Sequence, residues 1–163
     1  MLCLYGCGAV QSSSINLQQA QTALAQPMQA EIAVHTSDFE VKGRLERTGS
    51  EMYSFTVAEP ESLAGLCVRV EQQNCLLSYQ GMELPLQTET LPSGFALKML
   101  DHALDQMMRQ DGVTLQNTAD GGGILTGKVD GNSFEFRLNG RCCPVSFSVP
   151  KLDLVITWAV RSE

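Results

Sequence analysis

The sequence predicts a mainly β domain, an open half-barrel of about eleven antiparallel strands with an N-terminal helix and an inserted helix that plugs the concave face. Three observations lead to this fold class. Apolar and polar residues alternate with a period of two in many short segments, and turn-forming residues separate those segments. One long segment in the middle of the chain repeats its apolar residues at helical spacing instead.

The first expected element is a short amphipathic helix from Leu17 to Ala25. Its apolar residues recur at helical spacing, and Pro27 ends the pattern. Ser14 or Asn16 can serve as the N-cap, because either side chain can accept a hydrogen bond from the first turn.

Six strands are expected next. The pattern is clearest from Phe39 to Glu46, where Phe39, Val41 and Leu45 share one face and four charged residues share the other. The same alternation recurs in Ile32/Val34, Tyr53/Phe55/Val57, Val68/Val70 and Met82/Leu84/Leu86. Turn signals stand at Thr48-Gly49, Gln72-Gln73-Asn74 and Gln80-Gly81, so the strands should form a meander.

A second helix is expected from Phe95 to Gln110, with Ser93 as its N-cap and a wide apolar stripe. Strands then resume at Val113-Leu115, Ile124-Val129, Phe134/Phe136/Leu138, Val145/Phe147/Val149 and Leu152/Leu154/Ile156/Trp158. Asp130-Gly131-Asn132 is a hairpin turn signal. A sheet of this width cannot stay flat, so it should curl around the one helix that is apolar enough to fill its interior.

Composition limits the classes of function. The chain has 163 residues, 44% of them hydrophobic, and no apolar run long enough for a transmembrane helix. We therefore expect a single domain over residues 15–163. The net charge of −7, with the basic residues scattered, disfavours binding to nucleic acid or to an anionic membrane surface.

The N-terminus contains Leu4-Tyr5-Gly6-Cys7, which resembles the lipobox of bacterial lipoproteins. In that interpretation Cys7 carries a lipid anchor, and the small polar stretch from Gly8 to Ser14 is a tether. Residues 1–14 would then be a truncated signal with its tether, and the domain would be anchored to the membrane outside the cytoplasm. Only six residues precede Cys7 and none is basic, so either the true start lies upstream or the match is chance.

The other cysteines do not have the spacing of a metal site, and no metal or cofactor is expected. With a two-residue turn at Gln72-Gln73, Cys75 faces Val70 and lies on the opposite face from Cys67. Disulfides and free thiols both remain open for Cys67, Cys75, Cys142 and Cys143.

Catalytic motifs are weak. His35 and His102 have no nucleophile motif near them and are interpreted as surface or satisfied histidines. Asp101 and Asp105, spaced i and i+4, are interpreted as a solvated helix face rather than a carboxylate pair. Gly121-Gly122-Gly123 lacks the residues of a phosphate loop and is interpreted as a flexible hairpin turn. An uncharacterised hydrolase is therefore the least favoured function.

The order of elements behind a lipobox resembles the lipoprotein-localisation factors LolA and LolB. The segments Ser62-Leu63-Ala64-Gly65-Leu66, Ser78-Tyr79-Gln80-Gly81-Met82 and Leu91-Pro92-Ser93-Gly94 are more specifically similar to uncharacterised clostridial lipoproteins. The resemblance covers roughly residues 28–158. It implies an unclosed barrel that binds acyl chains, of a lipid or an acylated protein, on its concave face with a helix as lid.

The positions that match this implied ligand site lie on the early strands and on the inserted helix: Phe39, Val41, Tyr53, Phe55, Met99, Leu104, Met107 and Met108. Methionines suit such a site because their flexible side chains adapt to varied apolar ligands. The same residues would also suit an ordinary core. The alternative function is therefore an envelope interaction module with a packed interior and an unknown protein partner.

Overall fold

The structure, a computed structural model, describes residues 14–92, 94–109 and 112–159. The two helices are α1 (Leu17–Leu24) and α2 (Ala96–Arg109). The strands are β1 (Met28–His35), β2 (Glu40–Gly49), β3 (Met52–Glu59), β4 (Cys67–Glu71), β5 (Asn74–Tyr79), β6 (Met82–Gln87), β7 (Thr114–Asn117), β8 (Gly123–Val129), β9 (Asn132–Leu138), β10 (Pro144–Val149) and β11 (Leu154–Trp158). Within these ranges no helix is long and apolar enough to cross a membrane.

All eleven strands form one antiparallel sheet in the order β6-β5-β4-β3-β2-β1-β11-β10-β9-β8-β7. The first six strands are a meander, and the last strand of the chain returns to pair with β1. The sheet is open, with β6 and β7 as its edges, and it curls around α2. The predicted fold class is therefore confirmed.

Most predicted turns are found where the sequence placed them. The turns at Gln72-Gln73 and Gln80-Gly81 join β4 to β5 and β5 to β6, and Asp130-Gly131 joins β8 to β9. The turn predicted at Thr48-Gly49 is wrong. A bulge between Arg47 and Gly49 extends β2 by two residues, and the chain reverses at Ser50-Glu51 instead.

Helix α1 starts at a capping box, in which the Asn16 side chain accepts from the Gln19 backbone and the Gln19 side chain accepts from the Asn16 backbone. Asn16 is thus the N-cap of the two that the sequence offered. Leu24 is buried, and the Gln21 side chain donates to the carbonyl oxygen of Met107 at 2.8 Å. This contact joins α1 to the C-terminal part of α2.

Helix α2 begins and ends one residue inside the predicted limits, and its predicted N-cap, Ser93, lies outside the described residues. The second half of the sheet closes over it with aromatic side chains. The ring of Phe136 lies 6.1 Å from Phe147 and 5.5 Å from Trp158, centroid to centroid. These rings belong to the same buried core as Leu100 and Leu104 of α2, so the core includes both the helix and the concave face of the sheet.

The Gly121-Gly122-Gly123 segment does connect two strands, but the prediction that it is flexible overlooked its packing. A Cβ at Gly122 would overlap the carbonyl oxygen of Leu138. A Cβ at Gly123 would contact Ile15 and Leu115. These two glycines are therefore small because neighbouring chain segments lie close to them.

Candidate functional site

The concave face of the meander is organised in rows, because the antiparallel register aligns inward residues across β2 to β6. The middle row, one residue per strand, is Leu45, Phe55, Val68, Leu77 and Leu84. The row beside it, here the arginine row, is Arg47, Tyr53, Val70, Cys75 and Leu86.

Exposure rises along the middle row towards the edge of the sheet. Leu45 on β2 is 2% exposed, Leu77 on β5 is half-buried and Leu84 on β6 is 53% exposed. Leu86 at the end of the arginine row is also half-buried. The concave face is therefore covered from β2 to β4, and its apolar surface continues over β5 and β6, where Leu77 and Leu86 are half-buried and Leu84 is exposed. We call Leu77, Leu84 and Leu86 the open end of the concave face.

The residues that the sequence assigned to a ligand site lie at three different depths. Five of them are buried together in the core: Tyr53, Phe55, Met99, Leu104 and Met107. Val41 is half-buried and packs against this core, and Met108 is half-buried on α2. Phe39 does not share the interior with them, because it lies in the turn between β1 and β2 and is exposed.

Two grooves are formed at the surface of the described chain. One, of about 630 Å³, lies between α1 and the turn from β9 to β10. The other, of about 490 Å³, lies between Gln106 of α2 and strands β8 and β9. Neither is lined by a residue of the predicted ligand site or of the open end.

A buried polar network fixes α2 to the sheet. The Arg47 guanidinium donates from Nε to Asp101 Oδ1 at 2.7 Å and from an η nitrogen to Asp105 Oδ1 at 3.0 Å. The backbone N–H of Glu51 donates to Asp101 Oδ2 at 2.9 Å, and the Ser50 hydroxyl donates to Asp105. The guanidinium and both aspartates are buried. We call these groups the helix latch.

The electrostatics of the helix latch are unbalanced, because one guanidinium faces two carboxylates. Burial raises the pKa of Asp101 above its ordinary value, although the hydrogen bond and charge of Arg47 act in the opposite direction. Burial also raises the pKa of the Tyr53 hydroxyl, and the nearby charge of Asp101 adds to that shift. The latch thus holds charge in a place where water does not screen it well.

The interpretation of Asp101 and Asp105 as a solvated helix face is therefore wrong. Their i, i+4 spacing places them on the face of α2 that carries the apolar stripe, and each binds Arg47. The sequence did contain a signal for this network. Arg47 continues the inward phase of Val41 and Leu45, and this phase, which the sequence analysis did not follow past Glu46, places a charged residue on the concave face, where it needs a buried partner.

The β6 edge of the sheet is protected against addition of another strand. The turn before β6, Gln80-Gly81, has φ of 50° and 82° at its two residues, so Tyr79 and Met82 form a hydrogen-bonded pair. Since such pairs alternate, Met82 and every second residue after it bond to β5. Pro85 falls between them, where its missing N–H faces away from the sheet.

The remaining candidate residues show no catalytic grouping. The Nδ1 atoms of His35 and His102 lie 3.3 Å from Glu40 and 3.4 Å from Asp130, and both histidines are partly exposed. In the described ranges no three His, Cys, Asp or Glu side chains are grouped to hold a metal ion.

The cysteine geometry follows the sequence prediction. Cys75 pairs with Val70 and is buried, whereas Cys67 lies on the other face. Cys67, Cys75, Cys142 and Cys143 are all free thiols in the structure. The predicted lipid attachment site, Cys7, lies outside the described residues.

Comparison with known proteins informs the fold. No protein-family model matches the chain, and no curated protein matches it. Among solved structures, an uncharacterized conserved protein from Thermus thermophilus is similar with a TM-score of 0.54 and 14% identity, over 88% of this chain and 82% of that one. That identity shows a shared fold and nothing further.

Two other structures are similar at a TM-score of 0.45. One is a LolA superfamily protein from Nitrosomonas europaea, with 13% identity over 85% of this chain and 72% of that chain. The other is LprF from Mycobacterium bovis, with 11% identity over 88% of this chain and 89% of that chain. The family resemblance that the sequence predicted thus finds a LolA superfamily protein among the similar structures, and the clostridial detail stays a prediction.

Proposed function

We propose that this chain is a non-catalytic binding protein of the bacterial envelope that holds an apolar group on the open end of its concave face. The ligand class is an acyl chain, either of a lipid or of an acylated protein. The observation that supports this function is the rise in exposure along the middle row, from buried Leu45 to exposed Leu84. An apolar surface that is continuous with the core is exposed to water here, and the free energy falls when an apolar ligand covers it.

The open end is a better candidate than the space beneath α2. Met99, Leu104 and Met107 are fully buried there, and the helix latch would have to break before a ligand could enter. The charges cannot separate while they stay buried, because an unpaired buried charge costs about 3–5 kcal/mol, so entry requires that Arg47 and both aspartates be hydrated together. We therefore treat α2 as a fixed plug, and the ligand binds beside it.

An acyl chain also suits the open end better than an added strand does. Pro85 interrupts the row of outward donors on the β6 edge, so a strand added there would lose a hydrogen bond. The side chains of Leu77 and Leu84 are adjacent across the two strands, and they point onto the concave face instead of the edge. A ligand that needs contact area and no hydrogen bonds fits this surface.

The test is a titration with a long-chain fatty acid that carries a fluorophore. We expect saturable binding that Leu84→Ser weakens roughly five- to tenfold, since burying part of a leucine contributes about 1 kcal/mol or more. Met52→Ser is the matched control, because Met52 is similarly exposed, at 45%, but is the first residue of β3 and lies outside the open end. Equal affinity of wild type and Leu84→Ser, or equal loss in both variants, would reject the open end as the site.

The packed interior favours a second candidate, an interaction module that carries no apolar ligand. Under this alternative, protein purified from a bacterial host releases no lipid on organic extraction, and native mass spectrometry shows only the mass of the chain. Co-purified lipid that is lost in Leu84→Ser and retained in Met52→Ser would decide in favour of the first candidate.

Anchoring to the membrane is the other part of the proposal, and it depends on the lipobox-like residues that end at Cys7. Metabolic labelling with a fatty acid in a bacterial host should label the full chain, and Cys7→Ser should abolish the label. Label that persists in Cys7→Ser would remove the basis for an anchor at this residue.

A further inference from the structure

Large apolar side chains are exposed at one end of the sheet. In an antiparallel meander the turns that follow β1, β3 and β5 lie at the same end, and the turn from β10 to β11 joins them there because β11 pairs with β1. The exposed residues at or directly beside these turns are Phe39, Leu63, Met82 and Leu152. Met82 is 67% exposed and Phe39 is 54% exposed. We call these four residues the apolar rim.

Hydrogen bonds hold the turns of the apolar rim in place. The Tyr79 hydroxyl donates to the carbonyl oxygen of Ser62 at 2.7 Å, which fastens the loop that carries Leu63 to the end of β5. The turn at Phe39 is closed by the Thr36 backbone N–H, which donates to the Phe39 carbonyl at 2.9 Å. The backbone segments that carry Phe39 and Leu63 are thus held by hydrogen bonds, so a partner need not order them on binding.

Acidic side chains surround the apolar rim. Exposed carboxylates at or beside the same turns belong to Asp38, Glu61, Glu83 and Asp153. The positive charge of Lys42 is offset by the carboxylate of Glu59, which lies 2.8 Å from its ammonium group. Lys151 is an exposed cation among these acidic groups. The balance is negative, which repels anionic lipid headgroups and attracts cationic groups.

We propose that the apolar rim binds a cationic amphipathic segment of a partner protein. The apolar side of such a segment covers Phe39, Leu63 and Met82, and its Lys or Arg side chains face the surrounding carboxylates. This pairing of an apolar centre with complementary charge at the periphery is the ordinary anatomy of a specific interface. The inference does not rest on acyl-chain binding, since it uses the turns and not the open end.

The experiment measures binding of a fluorescent helical peptide, with leucine on one face and lysine on the other, to the full chain by anisotropy. We expect saturable binding that the double variant Phe39→Ser/Leu63→Ser weakens roughly tenfold or more. Met52→Ser, at the opposite end of the sheet, should bind as wild type does. Raising the salt from about 0.1 M to about 1 M should weaken binding by wild type, because the charges are exposed.

Any one of the following results would overturn the inference. They are the absence of saturable binding, equal loss in Met52→Ser, undiminished affinity for a peptide whose leucines are replaced by serine, and binding to zwitterionic vesicles in preference to the peptide. The vesicle result would assign the rim to a lipid surface. Serine at these exposed positions should leave the melting temperature unchanged, so a folded double variant with wild-type affinity also counts against the rim.

Discussion

Replacing Arg47 by methionine tests whether α2 is fixed to the sheet. Methionine preserves much of the apolar stem but removes the guanidinium, so Asp101 and Asp105 lose their buried counter-charge. Removing one partner of a buried ion pair costs about 3–5 kcal/mol, because the charge that remains is neither hydrated nor paired. We expect a loss of this size, since both carboxylates bind Arg47 and both are buried.

The free energy of unfolding is measured by urea titration, with the fluorescence of the one tryptophan, Trp158, as the signal. For a chain of this size a loss of 3–5 kcal/mol lowers the melting temperature by on the order of 10–15 °C. Arg44→Met is the matched control, because Arg44 lies on the same strand with its side chain exposed, and its partners, Glu46 at 3.0 Å and Gln29 at 3.2 Å, lie at the surface. The control should change stability by less than about 0.5 kcal/mol.

Equal and small effects of the two variants would refute the argument, because they would mean that water reaches Arg47 and that the latch does not hold α2. The pH dependence gives an independent check. Protonation removes the unpaired negative charge, so the stability lost in Arg47→Met should shrink as the pH falls into the acid range. A loss that is constant with pH would point to packing, not charge, as the cause.

The pKa of Asp101 predicts the sign of a second effect in the wild type. Its folded-state pKa is raised above the ordinary value of 3.8, so between these two values the folded protein binds a proton that the unfolded chain does not. Stability from this group therefore increases as the pH is lowered through that interval and is lost as the pH rises through it. The free energy of unfolding of the wild type, relative to that of Asp101→Asn, should therefore increase as the pH is lowered through this interval. A flat difference would contradict the raised pKa.

Three further substitutions test the packing. Phe136→Ala should destabilise the domain by about 3–5 kcal/mol, because the ring is fully buried. Arg137→Ala, on the opposite face, should be near neutral in the same urea titration. Equal losses would mean that the strand phase is wrong. Gly43→Ala should cost about 1–3 kcal/mol in thermal unfolding, because a Cβ would overlap the carbonyl oxygen of Thr56, and a neutral result would show that β2 and β3 can separate there. If α2 is a plug, Met107→Asp should lower the melting temperature and leave the fatty-acid affinity of the folded protein nearly unchanged. If the melting temperature is nearly unchanged and the affinity falls, α2 is a lid.

The fold could be predicted because it depends on local patterns that repeat. Alternation in phase with Leu45 identifies an inward face on each strand, and glycine or asparagine at the turns identifies where the chain reverses. The prediction of a turn at Thr48-Gly49 was wrong for a reason that is not local. The chain instead reverses at Ser50-Glu51, where the Ser50 hydroxyl and the Glu51 N–H bind the carboxylates of α2.

The site was harder to predict because periodicity identifies which face is apolar, but not how far another element covers it. Phe55 and Leu84 belong to the same row and were indistinguishable in the sequence, yet one is buried beneath α2 and the other is exposed. Coverage depends on where α2 lies, and that in turn depends on the pairing of Arg47 with residues more than fifty positions later in the chain. The strand pattern places Arg47 on the inward face, but it does not identify which distant residues pair with it.

The position of α2 also limits what the protein can bind. A helix held by a buried, hydrogen-bonded ion network cannot move aside at low cost, so its own buried methionines, Met99 and Met107, serve as core. The apolar surface that stays available is the part of the sheet beyond the reach of the helix, and Leu84 marks it. Pro85 acts on a different part of β6, its edge, where the missing N–H opposes the pairing of another strand. On this one strand, the exposed Leu84 leaves the concave face accessible to a ligand, and Pro85 opposes the addition of a strand at the edge.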